Sequence, residues 1–325
     1  MNTCSIRRRA LAIALAAMLP LASANAEPRF PDKPIRVVVP FPPGSGTDVS
    51  TRHIAQQIAA KTGWTFVVDN KAGANGFIGL GDVLRAPADG YTLVYTGGTT
   101  HGVNSALFKK LPYDPVADFI PIAPGVFSPM VLLARPSLNV SSGAELLAYI
   151  RQNPGKATFA SGSSFQQLAG ELFKQQAGLQ VNHVPYKGSA QSMTDLIGGH
   201  VDFSFIDLSA AMPHIRAGTL KPLAVMTSTR IPSLPATPTM AEAGLPPIHL
   251  SGWAAIFVKT GTPAPVVAEL RRVFGDYFRS QEYGRYLSDN GNYMEAVSAE
   301  QMSSFISAEI KRAKEVFARA GIQAN

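Results

Sequence analysis

Residues 33–48 read KPIRVVVPFPPGSGTD, a short apolar run followed by a turn rich in proline and glycine. The β-branched run 35–39 predicts a buried strand, and the spacing of residues 49–61 predicts a helix after the turn. The first N–H groups of a helix have no intrahelical partner, and two glycines let a ligand approach them closely. This stretch therefore predicts an anion-binding site between a strand and a helix.

Strand and helix signals alternate through the rest of the chain. Further strands are predicted at 65–69, 91–96, 130–134, 158–160, 180–184, 201–207, 220–226 and 253–258. Further helices are predicted at 142–153, 165–177, 191–198, 210–217, 265–279, 282–289 and 298–320. Apolar strands of this kind indicate parallel sheets covered on both faces, with ligands at the carboxyl ends of the strands.

Proline-rich passages at 112–129 and 232–247 interrupt this series and indicate two α/β domains. We predict a first domain of residues 27–126 plus 250–325 and a second domain of residues 127–249, with the tail packing on the first. Two lobes joined by two crossing strands form a hinge with a ligand cleft between them.

The N-terminus has the pattern of a secretory signal peptide. Three arginines at 7–9 precede an apolar run at 10–22, and Ala-Asn-Ala at 24–26 forms a small-x-small cleavage site. The run of about 13 apolar residues is too short for a comfortable membrane span. We predict cleavage after Ala26 and export to the periplasm, by either the general or the twin-arginine route.

Composition excludes several classes of function. The hydrophobic fraction of 46% and charged fraction of 16% are ordinary for a soluble globular protein. The single cysteine, Cys4, lies in the signal peptide, so the mature chain has no disulfide, thiolate nucleophile or cysteine metal site. The net charge of +7 falls to +4 without the three arginines of the signal peptide (7 − 3 = 4), and the remaining Lys and Arg residues form no block, which argues against nucleic-acid binding. The six histidines show no HxH or HExxH spacing, so we expect neither a metal nor a cofactor.

The turn at 41–48 does not fit a nucleotide site. Thr47 and Asp48 stand where a P-loop has Lys and Ser/Thr, and the third glycine of a dinucleotide fingerprint is absent. Asp48 is expected to cap the helix and orient the loop. The alternative is a tight strand–helix turn that binds no ligand.

A second turn, SGSS at 161–164, precedes the helix at 165–177 and repeats the arrangement of the first. Its spacing is not Gly-x-Ser-x-Gly, so hydroxyl groups that cap the helix or bind a carboxylate are favoured. A secreted serine hydrolase using Ser163 is the alternative. Two such helix starts on opposite lobes indicate a clamped organic acid.

Several runs in the same order carry a resemblance to a known family. They are 30–52 (FPDKPIRVVVPFPPGSGTDVSTR), 67–79 (VVDNKAGANGFIG), 89–104 (DGYTLVYTGGTTHGVN), 111–123 (LPYDPVADFIPIA) and 184–207 (VPYKGSAQSMTDLIGGHVDFSFID), with a later GW…GTP segment. Together they resemble the Bug-type substrate-binding proteins of tripartite tricarboxylate transporters across essentially the whole mature chain.

The resemblance implies a two-lobed, type II periplasmic-binding-protein fold without catalysis. The implied ligand is a small organic carboxylate: a dicarboxylate, tricarboxylate, amino acid or aromatic acid. The implied partners are the integral membrane components of the transporter, with no nucleic acid and no membrane insertion of the mature chain. A ligand-sensing partner of a signalling system is an alternative that would share the ligand site.

The ligand contacts that the resemblance implies lie in the two turns, where ordered water often bridges a carboxylate. They are Phe41, Gly44, Ser45, Gly46, Thr47 and Asp48 in the first turn and Ser161, Gly162, Ser163 and Ser164 in the second, with Thr99, His101 and Asp207 as wall residues. The family's PPGGGTD is PPGSGTD here, and its RPGAGGNIG is KAGANGFIG. Because Ser45 and Phe77 are among these departures, the ligand's identity stays open.

Overall fold

A computed structural model describes residues 30–295 and 297–324. The predicted signal peptide lies outside this part of the chain. The strands are β1 (Ile35–Val39), β2 (Phe66–Asn70), β3 (Thr92–Gly97), β4 (Phe119–Ala134), β5 (Thr158–Ser161), β6 (Asn182–Pro185), β7 (Phe203–Asp207), β8 (Pro222–Val225) and β9 (Ser251–Lys259).

The helices cover the sheets formed by these strands. They are α1 (Gly46–Thr62), α2 (Phe77–Arg85), α3 (Asn104–Leu107), α4 (Gly143–Gln152), α5 (Ser164–Ala177), α6 (Ser189–Gly198), α7 (Leu208–Arg216), α8 (Ala264–Phe278), α9 (Gln281–Asp289) and α10 (Met302–Arg319). Short 3₁₀ turns occur at Ala74–Gly76 and Pro136–Leu138, and a π-helix spans Gly98–Val103.

The first sheet has the strand order β2-β1-β3-β9-β4. Strand β1 is parallel to both β2 and β3, as the alternation of strands and helices predicts. Strand β9 returns from the far end of the chain and lies antiparallel between β3 and β4. The sheet is therefore mixed rather than wholly parallel.

Strand β4 corrects the expectation that residues 112–129 interrupt the sheet, because it begins at Phe119 and pairs with β9 as far as Pro129. The register shifts between Pro121 and Ala123 and again between Pro124 and Val126. A bulge leaves a residue outside the ladder, and proline is tolerated in strands at such points. The prolines therefore bend this strand instead of ending it.

The second sheet begins where β4 leaves the first. The last part of β4 is antiparallel to β7 and β8, and β7, β5 and β6 run parallel to one another. Strand β4 thus belongs to both sheets, and β9 runs beside it as the second crossing strand. We call the sheet of β1 and its helices the first lobe, and the sheet of β5 and its helices the second lobe.

Helix α10 packs against both lobes. Met302 and Ile306 share a buried cluster with Val38 and Phe257 of the first lobe. The other end of α10 contributes Ala313, Val316 and Phe317 to a cluster that contains the second-lobe aromatics Phe159, Phe173, Phe203 and Phe205. The predicted domain boundaries assigned this helix to the first domain alone, and they stay a prediction.

Candidate functional site

The first-lobe turn is built around the N-terminus of α1. Gly44, at φ +80°, reverses the chain in a conformation that favours glycine. Ser45 then caps the helix, because its side chain accepts a 3.2 Å hydrogen bond from the Asp48 N–H. The N–H groups of Gly46 and Thr47 belong to the first turn, so they have no intrahelical acceptor and are available to an anion.

Asp48 supports this turn from behind. Its carboxylate accepts hydrogen bonds from the Gly44 N–H at 2.9 Å and from Arg52 Nε and Asn70 Nδ2 at 3.0 Å each. Burial raises the pKa of Asp48, but these hydrogen bonds outweigh it and hold the pKa below its usual value. Asp48 is therefore ionised, and its hydrogen bonds hold the loop in place.

The second-lobe turns are held together by Gln166, which is buried in α5. Its Oε1 accepts a 2.7 Å hydrogen bond from the Gly162 N–H, and its Nε2 donates to Ser189 Oγ at 2.7 Å and to Asp207 Oδ2 at 3.2 Å. One side chain thus joins the ends of β5 and β7 and the start of α6. Ser163 caps α5 by accepting from the Gln166 N–H at 3.3 Å.

A cavity of about 60 Å³ lies where these turns meet. The starts of α1, α5 and α6 and of the π-helix surround it. The first-turn N–H groups of α1, α5 and α6 that have no intrahelical acceptor therefore lie around one space. Its lining residues are Phe41, Pro42, Ser45, Gly46, Thr47, Gly97, Gly98, Thr99, Gly162, Ser163, Phe165, Gly188, Ser189, Asp207, Gly252 and Trp253. We call it the donor chamber.

A smaller cavity of about 40 Å³ shares five of these residues and lies next to the first. It adds hydroxyl groups from helix α1, strand β4 and helix α7. Its lining residues are Gly46, Thr47, Ser50, Val126, Ser128, Asp207, Ser209, Gly252, Trp253 and Ala254. We call it the hydroxyl chamber.

The two lobes touch around these chambers. A Cβ on Gly46 would lie 2.7 Å from Ser209 Oγ, and a Cβ on Gly188 would lie 2.8 Å from Pro42 Cγ. Ser164 Oγ also donates a 2.8 Å hydrogen bond to Asn104 Oδ1 in the other lobe. The structure therefore shows the lobes closed on each other, with glycine at the tightest approaches.

Eight of the predicted contacts line the donor chamber. They are Phe41, Ser45, Gly46, Thr47, Thr99, Gly162, Ser163 and Asp207. Gly44 shapes the first turn, and Asp48 supports it, but neither is among the lining residues. Ser164 joins the lobes through Asn104 instead.

His101 is fully buried in the π-helix and does not line either chamber. Its ring stacks on Phe257 with centroids 4.3 Å apart, and its Nδ1 lies 2.9 Å from Thr100 Oγ1. Burial lowers the pKa of His101 to about 3, so the ring is neutral at physiological pH. Its contacts make it a packing group behind Thr99.

Ser161 also lies behind the cavity wall, where its Oγ is 2.6 Å from His183 Nε2. The His183 ring stacks on Phe159, and burial, aided by Lys174, lowers the His183 pKa to about 4. The serine–histidine contact in this region therefore involves Ser161, which is 3% exposed, and not Ser163.

Sequence reasoning missed the wall formed by Gly252 and Trp253 and by the aromatic ring of Phe165. The available signal was the GW pair, which precedes an apolar run near the end of the chain. It also missed Gln166, since nothing local in the sequence marks a glutamine that bridges three turns.

Among the described residues, the acidic residues, histidines and cysteines form no group of three that could hold a metal ion. None of the described helices is both long enough and apolar enough to span a bilayer.

The family described as "Tripartite tricarboxylate transporter family receptor" matches residues 50–322. The chain belongs to this family. Among its relatives, Protein BugT of Bordetella pertussis is 35% identical over 286 residues, which cover 87% of this chain and 88% of BugT. The Bug-type resemblance seen in the sequence is therefore confirmed.

Solved structures of similar proteins share the fold. The R. palustris protein Rpa4515, solved with adipate, is 34% identical, with a TM-score of 0.88 over 91% of this chain and 100% of that one. MatC from Rhodopseudomonas palustris, solved with bound malate, is 29% identical, with a TM-score of 0.81 over 88% of this chain and 99% of MatC. The two-lobed periplasmic-binding-protein fold of this receptor family is thus confirmed.

Proposed function

We propose that the protein is a periplasmic receptor that grips a small organic carboxylate between its lobes. It delivers this ligand to the integral membrane components of a tripartite tricarboxylate-type transporter. The predicted signal peptide supports export, and the fold is one in which a ligand lies between two lobes. The ligand contacts that we propose are the predicted residues that line the donor chamber: Phe41, Ser45, Gly46, Thr47, Thr99, Gly162, Ser163 and Asp207.

The observation that carries this proposal is the convergence of the starts of α1, α5 and α6 on one chamber. A helix N-terminus presents unpaired N–H groups and a partial positive charge, so it stabilises an anion. Three such ends from two lobes favour a carboxylate even though the described lining residues include no Lys or Arg. The similar proteins solved with adipate and malate support the same class of ligand.

The first test is a thermal-shift screen of the mature chain against a panel of carboxylates, followed by calorimetry on the hits. A ligand that binds only the folded state raises the melting temperature. We expect at least one carboxylate to do so, and we expect the double variant Thr47→Ala/Ser163→Ala to bind it at least about 10-fold more weakly, from two lost hydrogen bonds.

The matched control is Thr194→Ala/Ser307→Ala. It removes two exposed hydroxyl groups, each of which donates a hydrogen bond to a backbone carbonyl one turn earlier in its own helix. It should leave affinity unchanged. A panel with no hit would sink the receptor proposal. An activated ester that leaves an adduct on Ser163, detected by mass spectrometry, would favour the hydrolase alternative.

A further inference from the structure

Asp207 is the one charged side chain among the described residues that line the two chambers. It ends strand β7, and it lines both the donor chamber and the hydroxyl chamber. A carboxylate in the wall of a proposed anion site would repel the ligand's own negative charge. Its role requires a separate explanation.

The contacts of Asp207 leave it short of positive partners. Its Oδ2 accepts a 3.2 Å hydrogen bond from the neutral amide of Gln166, and a Cβ on Gly252 would lie only 2.5 Å from its Oδ1. Burial raises the pKa of Asp207, and the hydrogen bonds from Gln166 and from its own backbone N–H offset only part of that rise. A partly buried carboxylate in this setting is stabilised by any donor that a ligand brings.

The hydroxyl chamber beside Asp207 has matching chemistry. Ser50, Ser128 and Ser209 line it together with Thr47, and the Ser128 and Ser209 Oγ atoms are 3.5 Å apart. Hydroxyl groups can accept as well as donate hydrogen bonds, whereas the helix N-termini of the donor chamber can only donate. Asp207 and these hydroxyl groups therefore place hydrogen-bond acceptors beside the N–H donors of the helix starts.

We propose, building on the receptor function proposed above, that Asp207 selects carboxylates that carry a hydroxyl or ammonium group next to the bound carboxylate. The ligand's carboxylate occupies the donor chamber, and its hydroxyl or ammonium group donates to Asp207. An unsubstituted diacid leaves the Asp207 carboxylate without this donor and therefore binds more weakly.

The test compares ligands that differ at a single position. Succinate, malate and aspartate share a four-carbon diacid skeleton and carry hydrogen, hydroxyl and ammonium at carbon 2. A hydrogen bond to a charged group corresponds to roughly 10- to 100-fold in affinity. We expect calorimetry on the wild-type chain to show malate or aspartate binding tighter than succinate by that factor. If the panel selects another chain length, the matched trio of that length replaces these acids.

The variant Asp207→Asn keeps the shape of the side chain and removes its charge. We expect it to bring the three affinities to within about 3-fold of one another, since a neutral amide is a weaker acceptor. Asp276→Asn is the control, because Asp276 pairs with Arg272 and Arg279 on the exposed side of α8 and should leave the preference intact. If Asp207→Asn does not fold, Gly252→Ala displaces Asp207 Oδ1 instead and should also lower the preference.

Two results would overturn the inference. The first is a wild-type chain that binds succinate as tightly as malate and aspartate. The second is a preference that survives both Asp207→Asn and Gly252→Ala in folded protein. Either leaves the receptor function standing as long as some carboxylate binds, whereas a panel in which none binds removes both proposals.

Discussion

Gln166 offers the sharpest test of how the cleft is assembled. It is 1% exposed and makes hydrogen bonds to Gly162, Ser189 and Asp207, one in each of three separate turns. Gln166→Met keeps the approximate volume of the side chain and removes all three bonds. We therefore expect a packing change that is small beside the polar loss.

The size of the effect follows from the contacts. A buried hydrogen bond contributes about 1 kcal/mol net, and a partner left unsatisfied can cost more. Three lost bonds predict that the free energy of unfolding falls by about 3 kcal/mol. Ligand affinity should fall as well, because Gly162 and Ser189 line the donor chamber and would no longer be held in place.

Urea unfolding followed by circular dichroism measures the loss of stability, and calorimetry measures the loss of affinity. The control is Gln175→Met on the same helix, where one hydrogen bond of 2.9 Å to the Val316 carbonyl is lost. It should cost only about 1 kcal/mol and leave ligand binding unchanged. If Gln166→Met is no more destabilising than Gln175→Met, the bridging role assigned to Gln166 is wrong.

Gln166→Glu adds a check on charge. It keeps an acceptor for the Gly162 N–H but places a second carboxyl group beside Asp207 Oδ2. Like charges this close raise the pKa of the pair in the folded state above its unfolded value. The folded state then holds more protons, so the variant should be most stable at acid pH and lose stability as the pH rises. A variant equally destabilised at every pH would contradict this reasoning.

Two further predictions concern the stability of the fold. Gly170→Ala should lower the free energy of unfolding by about 1–3 kcal/mol, because a Cβ there would overlap the Phe159 ring. The control is Gly284→Ala in helix α9, where a Cβ has open space and should not lower the free energy of unfolding. Urea unfolding of the two variants compares them. Burial lowers the pKa of His183 to about 4 and of His101 to about 3, so the unfolded chain binds more protons between these values and about 6.5. The free energy of unfolding should therefore fall as the pH drops from about 6.5 towards 4. Urea titrations should show a smaller fall for His183→Asn than for the wild-type chain. An equal fall in the two proteins would refute the contribution of His183.

Much of the fold could be predicted because local chemistry and final structure agree. The run at 35–39 is a strand with the predicted bounds, and Ser163 of the SGSS turn caps the helix that follows it. The cap of helix α1 was predicted wrongly, because Ser45 caps it and Asp48 accepts the Gly44 N–H of the turn instead. Strand ends in parallel units meet at one edge, so the two turns could be expected to converge.

The residues that escaped prediction depend on distant partners. Strand β4 carries prolines that normally stop a strand, and only its bulges against β9 allow it to continue. The glycine-rich segment 72–81 hides the start of helix α2, where Gly79 packs directly against Pro40. Gln166 and Trp253 acquire their places from loops far along the chain, which no local pattern records.

Helix α10 and strand β4 each contribute to both lobes, so neither lobe has a complete core or a complete sheet of its own. Loss of either element would expose apolar surface in both lobes at once. Folding and unfolding are therefore cooperative across the hinge. A ligand that touches only the turns of the cleft consequently stabilises the whole chain, including helices that it never contacts.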